Sequence, residues 1–569
     1  MSTESTSEST PESIVNVASR LTDMARVMPS AVAVVEPLGY DRRGKRRYRE
    51  ISFEELDRDS DRIARGLHEL GVVPGTRLAL LVRPGIDFIS LVFGLFKAAA
   101  VAILIDPGMG RRNLVRCLSE ADPEGFVAIP IVHAVRTLLK DRFPRAKWNV
   151  TVGGRRWFWD GVTLDQLRGE PWTCGELTPT LADDPAAIIF TTGSTGPPKG
   201  VLYRHGNFDG QVTQIRDFYG IRPGEIDLPG FPLFGLFNCA MGVTTVIPDM
   251  DPSRPARVDP AKILEAAEDW SVTQAFGSPA IWNRVGQYCR EHGVRLGTVR
   301  RVLSAGAPVP ADVLERMKAA IHPEGDIHTP YGATEALPVA SISATEVLGE
   351  TAEKTSQGAG VCVGRNFPGI RWQVIRIVDG PIGSLDEVES LDTGEIGELI
   401  VQGPVVTREY CTRRESNALG KIAGGDEVWH RMGDTGYLDE EGRFWVCGRL
   451  AHRVLTSGGP MFPLQCEAIF NQHPAIYRSA LVGVGPPGQQ RPVIIVEPRN
   501  GRMPRSVDAK ASLIEELRQL GRKNPLTERI DDFLLHPRFP VDIRHNAKIF
   551  REKLAVWATK KLSRTGGSE

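Results

Sequence analysis

Short apolar runs of strand character alternate with helical segments from about residue 50 to residue 410. The apolar runs include residues 77–82, 186–190, 244–247 and 301–303. Amphipathic helical patterns, such as those of residues 260–269 and 311–318, lie between runs of this kind. A chain in which strands alternate with helices folds into layers, with helices covering largely parallel sheets. We therefore predict an α/β fold over this part of the chain.

The pattern changes near Ile396, where short strands separated by Gly and Asp turns replace the alternation. The segments with this character are residues 396–402, 436–438 and 443–446. They predict a small β-rich subdomain. After Gly448 a smaller α/β segment begins and continues to the last residue.

The length of 569 residues exceeds what a single hydrophobic core holds, so we expect more than one domain. The change of pattern divides the chain into an N-terminal domain of residues 14–447 and a C-terminal domain of residues 448–569. Residues 1–13 are rich in Ser, Thr and Glu, which predicts a disordered tail. These residues lack the basic and apolar regions of a signal peptide.

Charge and cysteine usage argue against several classes of protein. The 69 basic and 70 acidic residues give a net charge of -1, without the basic excess that nucleic-acid binding requires. None of the eight cysteines lies within four residues of another, so no zinc-site spacing is present. Free thiols fit a reducing compartment, and we predict a cytoplasmic protein that binds no nucleic acid.

The apolar stretch of residues 88–105 is close to the length that spans a membrane. Lys97 lies near its middle, where a charge is unfavourable in lipid. The Ala-rich centre followed by residues 101–105 is typical of a buried helix that leads into a buried strand. We therefore predict a core element and no membrane span.

A Gly-rich loop, Thr-Thr-Gly-Ser-Thr-Gly-Pro-Pro-Lys-Gly at residues 191–200, directly follows the apolar run 186–190. Small residues leave backbone N–H groups free to surround phosphate oxygens, and Lys199 adds a positive charge. The loop differs from a Walker A loop, because Lys199 follows Pro198 and no Ser or Thr follows it. This difference argues against a P-loop NTPase.

The loop resembles the phosphate-binding signature of the ANL superfamily, which comprises acyl-CoA synthetases, peptide-synthetase adenylation domains and luciferases. Further segments resemble the motifs of this superfamily in the same order along the chain: residues 304–308, 331–335, 433–437, 448–449 and 546–549, with Arg551. The resemblance covers nearly the whole chain. It implies an ANL-type fold, with a large N-terminal domain, a small mobile C-terminal domain and an active site between them.

The same resemblance implies an adenylate-forming enzyme that uses ATP and Mg²⁺. It assigns Lys548 to the reacting carboxylate, Thr334 to phosphate and Glu335 to the metal. It assigns these residues to the nucleotide: Thr191, Thr192, Gly193, Ser194, Thr195, Gly196, Lys199, Gly306, Ala307, Pro308, Tyr331, Gly332, Asp434 and Arg449.

The chemistry of acid activation accounts for these residue types independently. A carboxylate that attacks the α-phosphate brings two anions together, and this approach requires positive charge such as that of Lys548. Glu335 offers the hard oxygen ligand that Mg²⁺ prefers, and Asp434 can accept two ribose O–H bonds. The simpler alternatives are that Asp434 stabilises a Gly-Asp-Thr-Gly turn and that Lys548 is solvated.

The chain departs from the usual superfamily pattern at several positions. In residues 231–237, Gly235 stands where an aromatic residue or His is expected, so we expect extra space in an acyl pocket formed by Phe234, Gly235 and Phe237. The hinge position holds Ala451 instead of Asp or Lys, and the C-terminal motif lacks its usual Thr and Gly. His205 falls after the phosphate loop, where we expect it to cap or pack.

Residues 201–210 and 244–256 resemble the β-lactone synthetase family of bacterial olefin biosynthesis, OleC. This resemblance implies that a 2-alkyl-3-hydroxyalkanoic acid is activated as its adenylate. The β-hydroxyl then attacks the acyl carbon and releases AMP and a β-lactone. The partner is then a long-chain β-hydroxy acid, and the resemblance allows assembly with the pathway enzymes OleB and OleD.

Two other functions stay open at this point. Residues 457–459, Ser-Gly-Gly, follow the hinge much as the loop of a thiol-transferring enzyme does, so a long-chain acyl-CoA synthetase or an acyl-AMP ligase is the first alternative. A non-catalytic scaffold that binds an acyl nucleotide is the second. The presence of Lys548, Glu335 and Asp434 argues against the scaffold.

Overall fold

The computed structural model describes residues 15–170, 177–191, 196–541 and 549–565. The tail predicted for residues 1–13 lies outside these ranges. The β-strands are β1 (Val32–Tyr40), β2 (Arg46–Ser52), β3 (Arg77–Leu81), β4 (Val101–Leu104), β5 (Gly125–Ala128), β6 (Trp148–Thr151), β7 (Val162–Thr163), β8 (Pro185–Phe190), β9 (Gly200–Arg204), β10 (Ile226–Pro229), β11 (Thr244–Val246), β12 (Gln274–Gly277), β13 (Arg301–Ser304), β14 (Asp326–Ala333), β15 (Ala336–Ser343), β16 (Val361–Cys362), β17 (Arg365–Asn366), β18 (Arg371–Ile375), β19 (Gly397–Gln402), β20 (Lys421–Gly424), β21 (Glu427–Leu438), β22 (Phe444–Arg449), β23 (Val454–Thr456), β24 (Gly459–Met461), β25 (Ile476–Val484), β26 (Arg491–Pro498) and β27 (Asp532–Leu535).

The α-helices are α1 (Ser19–Val27), α2 (Phe53–Glu69), α3 (Ile86–Lys97), α4 (Arg111–Ala121), α5 (Pro130–Leu138), α6 (Leu164–Arg168), α7 (His205–Tyr219), α8 (Phe234–Ala240), α9 (Pro260–Asp269), α10 (Pro279–His292), α11 (Ala311–Ala320), α12 (Ala344–Glu346), α13 (Ala352–Ser356), α14 (Asn417–Gly420), α15 (Pro463–Asn471), α16 (Val507–Gly521) and α17 (Arg551–Thr565). Helix α9 coincides with the helical pattern of residues 260–269, and β3, β8, β11 and β13 coincide with the four apolar runs to within a residue or two. The predicted α/β class is therefore confirmed.

Two large sheets carry the alternation of strands and helices. The first has seven strands in the order β7-β6-β5-β3-β4-β8-β9, all parallel except for the edge pair β8 and β9. The second has nine strands in the order β17-β15-β14-β13-β12-β10-β11-β1-β2, with a parallel centre from β1 to β14 and antiparallel edges. A core cluster joins them: it combines β1 of the second sheet, β3 and β4 of the first, and the helices α2 and α3.

The predicted β-rich subdomain is a separate antiparallel sheet in the order β16-β22-β21-β19-β18, with β20 attached to β21. Its strand β22 ends at Arg449, two residues beyond the boundary that we expected after residue 447. A smaller three-stranded sheet, β25-β26-β27, follows with its own core clusters. The division of the chain into two domains stays a proposal.

Helix α3 and strand β4 form the buried helix and strand predicted for the apolar stretch. Lys97, the last residue of α3, has a buried side chain that is 1% exposed. Its ammonium donates to the Asp57 carboxylate at 2.6 Å and to the Asp61 carboxylate at 2.5 Å, both on α2. Two carboxylates compensate for the desolvated charge and join the two helices. Among the described helices, none combines the length and the hydrophobicity needed to cross a bilayer.

Candidate active site

The parallel strands of the nine-stranded sheet bring three predicted segments to one edge. Their registers pair Pro229 with Phe276, Gly277 with Ser304, and Leu303 with His328. The chain segments that leave these strands at their carboxyl ends therefore lie side by side. They contain α8, the loop of residues 304–308 and residues 331–335. Ligands of open α/β sheets bind at the carboxyl ends of strands, and this edge is the candidate site.

Thr334 and Glu335 form the tip of the hairpin between β14 and β15, in which Ala333 pairs with Ala336. The carbonyl of Thr334 accepts a 2.6 Å hydrogen bond from the Tyr203 hydroxyl. The backbone at Gly332 passes so close to the returning strand that a Cβ there would lie 2.6 Å from the Ala336 carbonyl. Only glycine fits this close approach, which explains the small residue in the motif.

The carboxylate of Glu335 is oriented by a residue that the sequence did not mark. The Tyr410 hydroxyl donates to Glu335 Oε1 at 2.6 Å. The neighbouring carboxylate and burial raise the pKa of this tyrosine, with burial the larger cause, so Tyr410 stays a donor. The Glu335 carbonyl accepts from Thr407 N at 2.9 Å and from Thr407 Oγ1 at 3.0 Å. Glu335 is therefore held through both its backbone and its side chain.

The base of the Gly-rich loop is closed by hydrogen bonds between Thr191 and Lys199. Thr191 N donates to the Lys199 carbonyl at 2.9 Å, and Lys199 N donates to Thr191 Oγ1 at 3.1 Å. Gly196, also predicted to bind nucleotide, is exposed. The Lys199 ammonium lies 4.6 Å from the ring centroid of Tyr410. Four predicted residues of this loop lie outside the described residues: Thr192, Gly193, Ser194 and Thr195.

The segment after Val406 brings Tyr410 to this loop by pairing with β9. Leu202 N donates to the Glu409 carbonyl at 3.1 Å, and Cys411 N donates to the Gly200 carbonyl at 2.9 Å. The loop, the Glu335 hairpin and Tyr410 therefore belong to one connected arrangement. No motif signalled Tyr410 or Thr407 in the sequence, because their contacts depend on chain segments more than 70 residues away.

Asp434 lies within strand β21, and this position excludes the turn role that we considered as an alternative. It accepts from the Tyr331 hydroxyl at 2.6 Å and from the Arg449 guanidinium at 3.1 Å. The register between β19 and β21 shifts at this place, and Gly433 adopts φ +64°. Such an irregularity changes the direction of the neighbouring Asp434 side chain. It requires at Gly433 the left-handed backbone conformation that glycine tolerates.

The contacts of Asp434 join three predicted nucleotide-binding residues that are far apart in sequence. Burial, together with the Asp434 charge, raises the pKa of Tyr331 well above its usual value. The Asp434 charge also raises the pKa of Arg449. Tyr331 and Asp434, held within hydrogen-bond distance of each other, supply an aromatic ring and a carboxylate, the groups that packing on a base and binding of a ribose require.

A second lysine, which the sequence also did not mark, lies beside Glu335. The Lys421 ammonium donates to the Thr407 carbonyl and to Thr407 Oγ1, the latter at 3.3 Å. It lies 5.8 Å from the Tyr410 ring centroid. Burial lowers the pKa of Lys421 to about 7; Glu335 raises this pKa and Lys199 lowers it further.

The expected space at Gly235 is not present in the structure, and this expectation is corrected. Gly235 is buried in α8, and a Cβ there would lie 3.2 Å from Ile89 Cδ1 and 3.2 Å from Thr245 Cγ2. The missing side chain therefore permits α8 to approach α3 and β11, and leaves no opening for substrate. Gly235 therefore allows close packing of α8 in the core.

Aromatic side chains around α8 offer an apolar wall instead. Phe234 stacks on Phe276 with ring centroids 3.7 Å apart and contacts Phe237 at 5.7 Å. Phe231 lies 6.4 Å from Phe276 and is exposed. Phe234 and Phe237 are only partly buried, so their rings are accessible to a ligand.

The remaining predicted positions occupy different surroundings. Gly306, Ala307 and Pro308 form the partly exposed loop after β13, and Gly306 adopts φ +96°. His205 packs in the core, where its Nδ1 accepts from Val17 N at 3.2 Å and burial lowers its pKa to about 4. This agrees with the packing role expected for it. Ala451, at the hinge position, is exposed.

Lys548 lies outside the described residues, but the chain that follows it is firmly held. Ile549 forms a β-bridge with Val541. The Arg551 guanidinium binds both oxygens of Glu467, at 2.9 and 2.5 Å, and both side chains are largely buried. Arg551 therefore ties the start of α17 to α15. This residue, which resembled part of the C-terminal motif, has a structural role in the described chain.

Glu335 is the carboxylate of this site that could hold Mg²⁺. No group of three or more His, Cys, Asp or Glu side chains in the described part of the chain could hold a metal alone. Mg²⁺ that is bound through substrate phosphates needs only one or two carboxylates. Glu335, which keeps Oε2 available while Oε1 accepts from Tyr410, fits this requirement.

Comparison with known proteins agrees with this geometry. A family model described as AMP-binding enzyme matches residues 21–411. The chain is 46% identical to an olefin beta-lactone synthetase of Xanthomonas campestris pv. campestris over 554 residues, covering 96% of this chain and 98% of that protein. It is 44% identical to an olefin beta-lactone synthetase of Stenotrophomonas maltophilia, covering 96% and 99%. The fold is similar to that of the anthranilate CoA ligase AuaEII in complex with anthranoyl-AMP, with a TM-score of 0.77, 19% identity and coverage of 98% and 99%.

Proposed function

The chain belongs to the AMP-binding enzymes of the ANL superfamily, and on this premise we propose that it converts a 2-alkyl-3-hydroxyalkanoic acid into a β-lactone, with ATP as co-substrate. It is an adenylate-forming ligase. The similarity to two beta-lactone synthetases over nearly the full length of both partners carries the proposal. The contact of Glu335 with Tyr410, next to the base of the phosphate loop, and the contact of Tyr331 with Asp434 support it in the structure.

In the first step, a carboxylate oxygen of the acid bonds to the α-phosphorus and pyrophosphate leaves. Lys199 provides positive charge next to the phosphate loop, and Lys548 is proposed to bridge the carboxylate and the α-phosphate. Tyr331, Asp434 and Arg449 hold the nucleoside. The Lys199 charge is in place before the reaction, so it stabilises the developing negative charge without further reorganisation.

In the second step, the β-hydroxyl oxygen bonds to the acyl carbon, its proton is released, and AMP leaves. The nucleophile is part of the substrate, so no Ser or Cys of the protein is required. Intramolecular attack gains an effective concentration of up to about 10⁵–10⁸ M in well-aligned cases. Strain in the four-membered ring opposes closure, and departure of the adenylate offsets that strain.

Glu335 is proposed as the protein ligand of Mg²⁺, which would neutralise phosphate charge when bound. Tyr410 orients this carboxylate, and Thr407 holds its backbone. The acid is proposed to be long-chained, with Phe234 and Phe237 as part of the wall of its pocket. Assembly with OleB and OleD and a cytoplasmic location are also proposals; the thiols of the described cysteines are free, which suits a reducing compartment.

An analogue that lacks the β-hydroxyl tests this function against an acyl-CoA synthetase or acyl-AMP ligase. The enzyme, ATP and Mg²⁺ are supplied with the 3-hydroxy acid or with its 3-deoxy analogue, each with and without CoA. We expect lactone and AMP from the hydroxy acid under both conditions. We expect the analogue to release pyrophosphate and to stall as bound acyl-AMP.

Efficient acyl-CoA formation from the 3-deoxy analogue would contradict the lactone proposal, because the enzyme would then possess a thiol route. Absence of pyrophosphate release from both acids would instead favour a non-catalytic scaffold. Mass spectrometry of the acyl products and a coupled pyrophosphate assay distinguish these results.

A further inference from the structure

Lys421 and Lys199 bring two ammonium groups to the same tyrosine ring although 222 residues separate them in sequence. Both lie within 6 Å of the Tyr410 ring centroid, at 5.8 and 4.6 Å. The Tyr410 hydroxyl binds Glu335, which is the carboxylate proposed to hold Mg²⁺. Two cations and a metal-binding carboxylate around one ring form a place suited to a multiply charged anion.

The charge of Lys421 has no carboxylate partner in the part of the chain that the structure describes. Its hydrogen bonds go to the carbonyl and hydroxyl oxygens of Thr407, both uncharged. Other desolvated cations of this protein are paired: Lys97 binds Asp57 and Asp61, and Arg431 binds Glu398. The Lys421 side chain is half-buried, and the charge of Glu335 acts on it only through space, so an anion that arrives beside it would add a direct counter-charge.

The location of Lys421 identifies which anion is expected. Thr407 and Tyr410 belong to the segment that pairs with β9 at the base of the phosphate loop. Asp434, which is assigned to the ribose, accepts instead from Tyr331 and from Arg449. Lys421 therefore bonds to the segment that borders the phosphate loop and holds Glu335.

We propose that Lys421 is a second cation of the phosphate site and that, together with Lys199, it binds the β- and γ-phosphates of ATP, which leave as pyrophosphate. This inference rests on the proposed adenylate-forming function and names a binding residue for its first step. The second step contains no β- or γ-phosphate, so Lys421 has no direct part in it.

Binding measurements on the full chain test the inference with Mg²⁺ and inorganic pyrophosphate as the probe, and with AMP in a parallel titration. Replacing Lys421→Met should weaken pyrophosphate binding by about 10- to 100-fold, the usual effect of losing a charged hydrogen bond. AMP binding should change by less than about twofold, because AMP has no β- or γ-phosphate. Lys421→Arg, which retains the charge, should recover most of the pyrophosphate affinity.

Lys262→Met is the matched control, since Lys262 pairs with Asp249 in a surface ion pair on α9, outside the site described above. It should leave both titrations unchanged. If Lys421→Met fails to fold, Lys421→Gln replaces it, because its amide can still donate to Thr407. Unchanged pyrophosphate affinity in the folded variant would overturn the inference.

A purely structural role for Lys421 predicts a different outcome, in which pyrophosphate and AMP binding weaken together.

Synthetic acyl-AMP of the hydroxy acid allows the lactone-closing step to be measured apart from the adenylation step. Under our inference, Lys421→Met slows pyrophosphate release by about 10- to 100-fold but closes the lactone from acyl-AMP at the wild-type rate. Slower closure from acyl-AMP would also overturn it. If wild-type enzyme forms no lactone while Lys421→Met still loses pyrophosphate affinity, the lactone proposal fails and the role of Lys421 stands.

Discussion

At the residue scale, the site depends on side chains whose partners hold them in place. Glu335 resembled a metal ligand in the sequence, but the structure adds that Tyr410 binds one of its oxygens. Asp434 was expected to bind ribose, and the structure adds Tyr331 and Arg449 as its partners. The superfamily resemblance gave the residues that are predicted to contact ligand. It did not identify the tyrosine and lysine that surround them, because these contacts depend on tertiary folding.

Replacing Tyr410→Phe tests the orienting role of this hydroxyl. Loss of one hydrogen bond to a carboxylate corresponds to about 1.5–3 kcal/mol, so we expect a roughly tenfold or larger rise in the Mg²⁺ concentration needed for half-maximal pyrophosphate release. The rate at saturating Mg²⁺ should recover much of the wild-type value. Glu335→Gln should lose rate even at saturating Mg²⁺. An unchanged Mg²⁺ titration in Tyr410→Phe would refute the orienting role.

Asp227 allows a test of stability against pH that is independent of catalysis. Burial raises its pKa to about 7, while its bond from Asn238 at 2.7 Å opposes the rise. A raised carboxyl pKa stabilises the folded state at low pH, and that stability is lost as the pH rises from about 4 to about 7. Asp227→Asn removes this loss.

The unfolding free energy of Asp227→Asn, measured relative to wild type, should therefore increase between pH 5 and pH 8 by an amount on the order of 2–3 kcal/mol. Denaturant titrations at several pH values between these limits provide the measurement. A difference that stays constant with pH would show that Asp227 titrates normally in the folded protein.

At the element scale, α8 shows how the motif of residues 231–237 led to a wrong prediction of open space at Gly235. The departure from the superfamily pattern at Gly235 suggested space for an α-branched substrate. The structure instead brings α8 against α3 and β11 at this residue. The sequence could not reveal this contact, because α3 precedes α8 in the chain and β11 follows it, and only the tertiary fold brings both against Gly235. Where the pattern was local and periodic, as in α9 and the apolar strands, the prediction from sequence was accurate.

The packing role of Gly235 changes the expected behaviour of its variants. Gly235→Ala requires Ile89 and Thr245 to yield by a few tenths of an ångström and should destabilise the protein by about 1–3 kcal/mol. Gly235→Phe should fold poorly and lose activity on branched and unbranched acids alike. Thermal denaturation and relative kcat/KM on the two acids are the measurements. Selective loss of the branched acid would restore the pocket interpretation.

At the scale of the whole molecule, strands distant in sequence assemble the site. Strand β1 pairs in parallel with β11, some 200 residues later, and the phosphate loop meets the segment of residues 406–412 through β9. The alternation of strands and helices predicted the class of fold but not this order of strands. The core cluster that joins the two large sheets fixes the relative positions of their edges.

The proposed role of Lys548 is a property of the whole chain, since this residue lies near the C-terminus and the other residues of the proposed site lie in the first 450 residues. Lys548→Ala should slow pyrophosphate release by about 10²–10³-fold, because it removes a charged contact to the transition state. ATP binding should stay close to wild type. Pyrophosphate release at a near wild-type rate would contradict the assignment.

In the proposed reaction the acid is activated at its carboxylate and its own hydroxyl closes the ring, and isotope tracing distinguishes this order from activation of the hydroxyl. The substrate is a 2-alkyl-3-hydroxy acid with both carboxylate oxygens labelled with ¹⁸O. After turnover with ATP and Mg²⁺, mass spectrometry follows the label in the lactone and in AMP. We expect one ¹⁸O in the lactone, at its carbonyl, and one in AMP. A lactone with both labels and an unlabelled AMP would contradict it, since the hydroxyl and not the carboxylate would then have been activated.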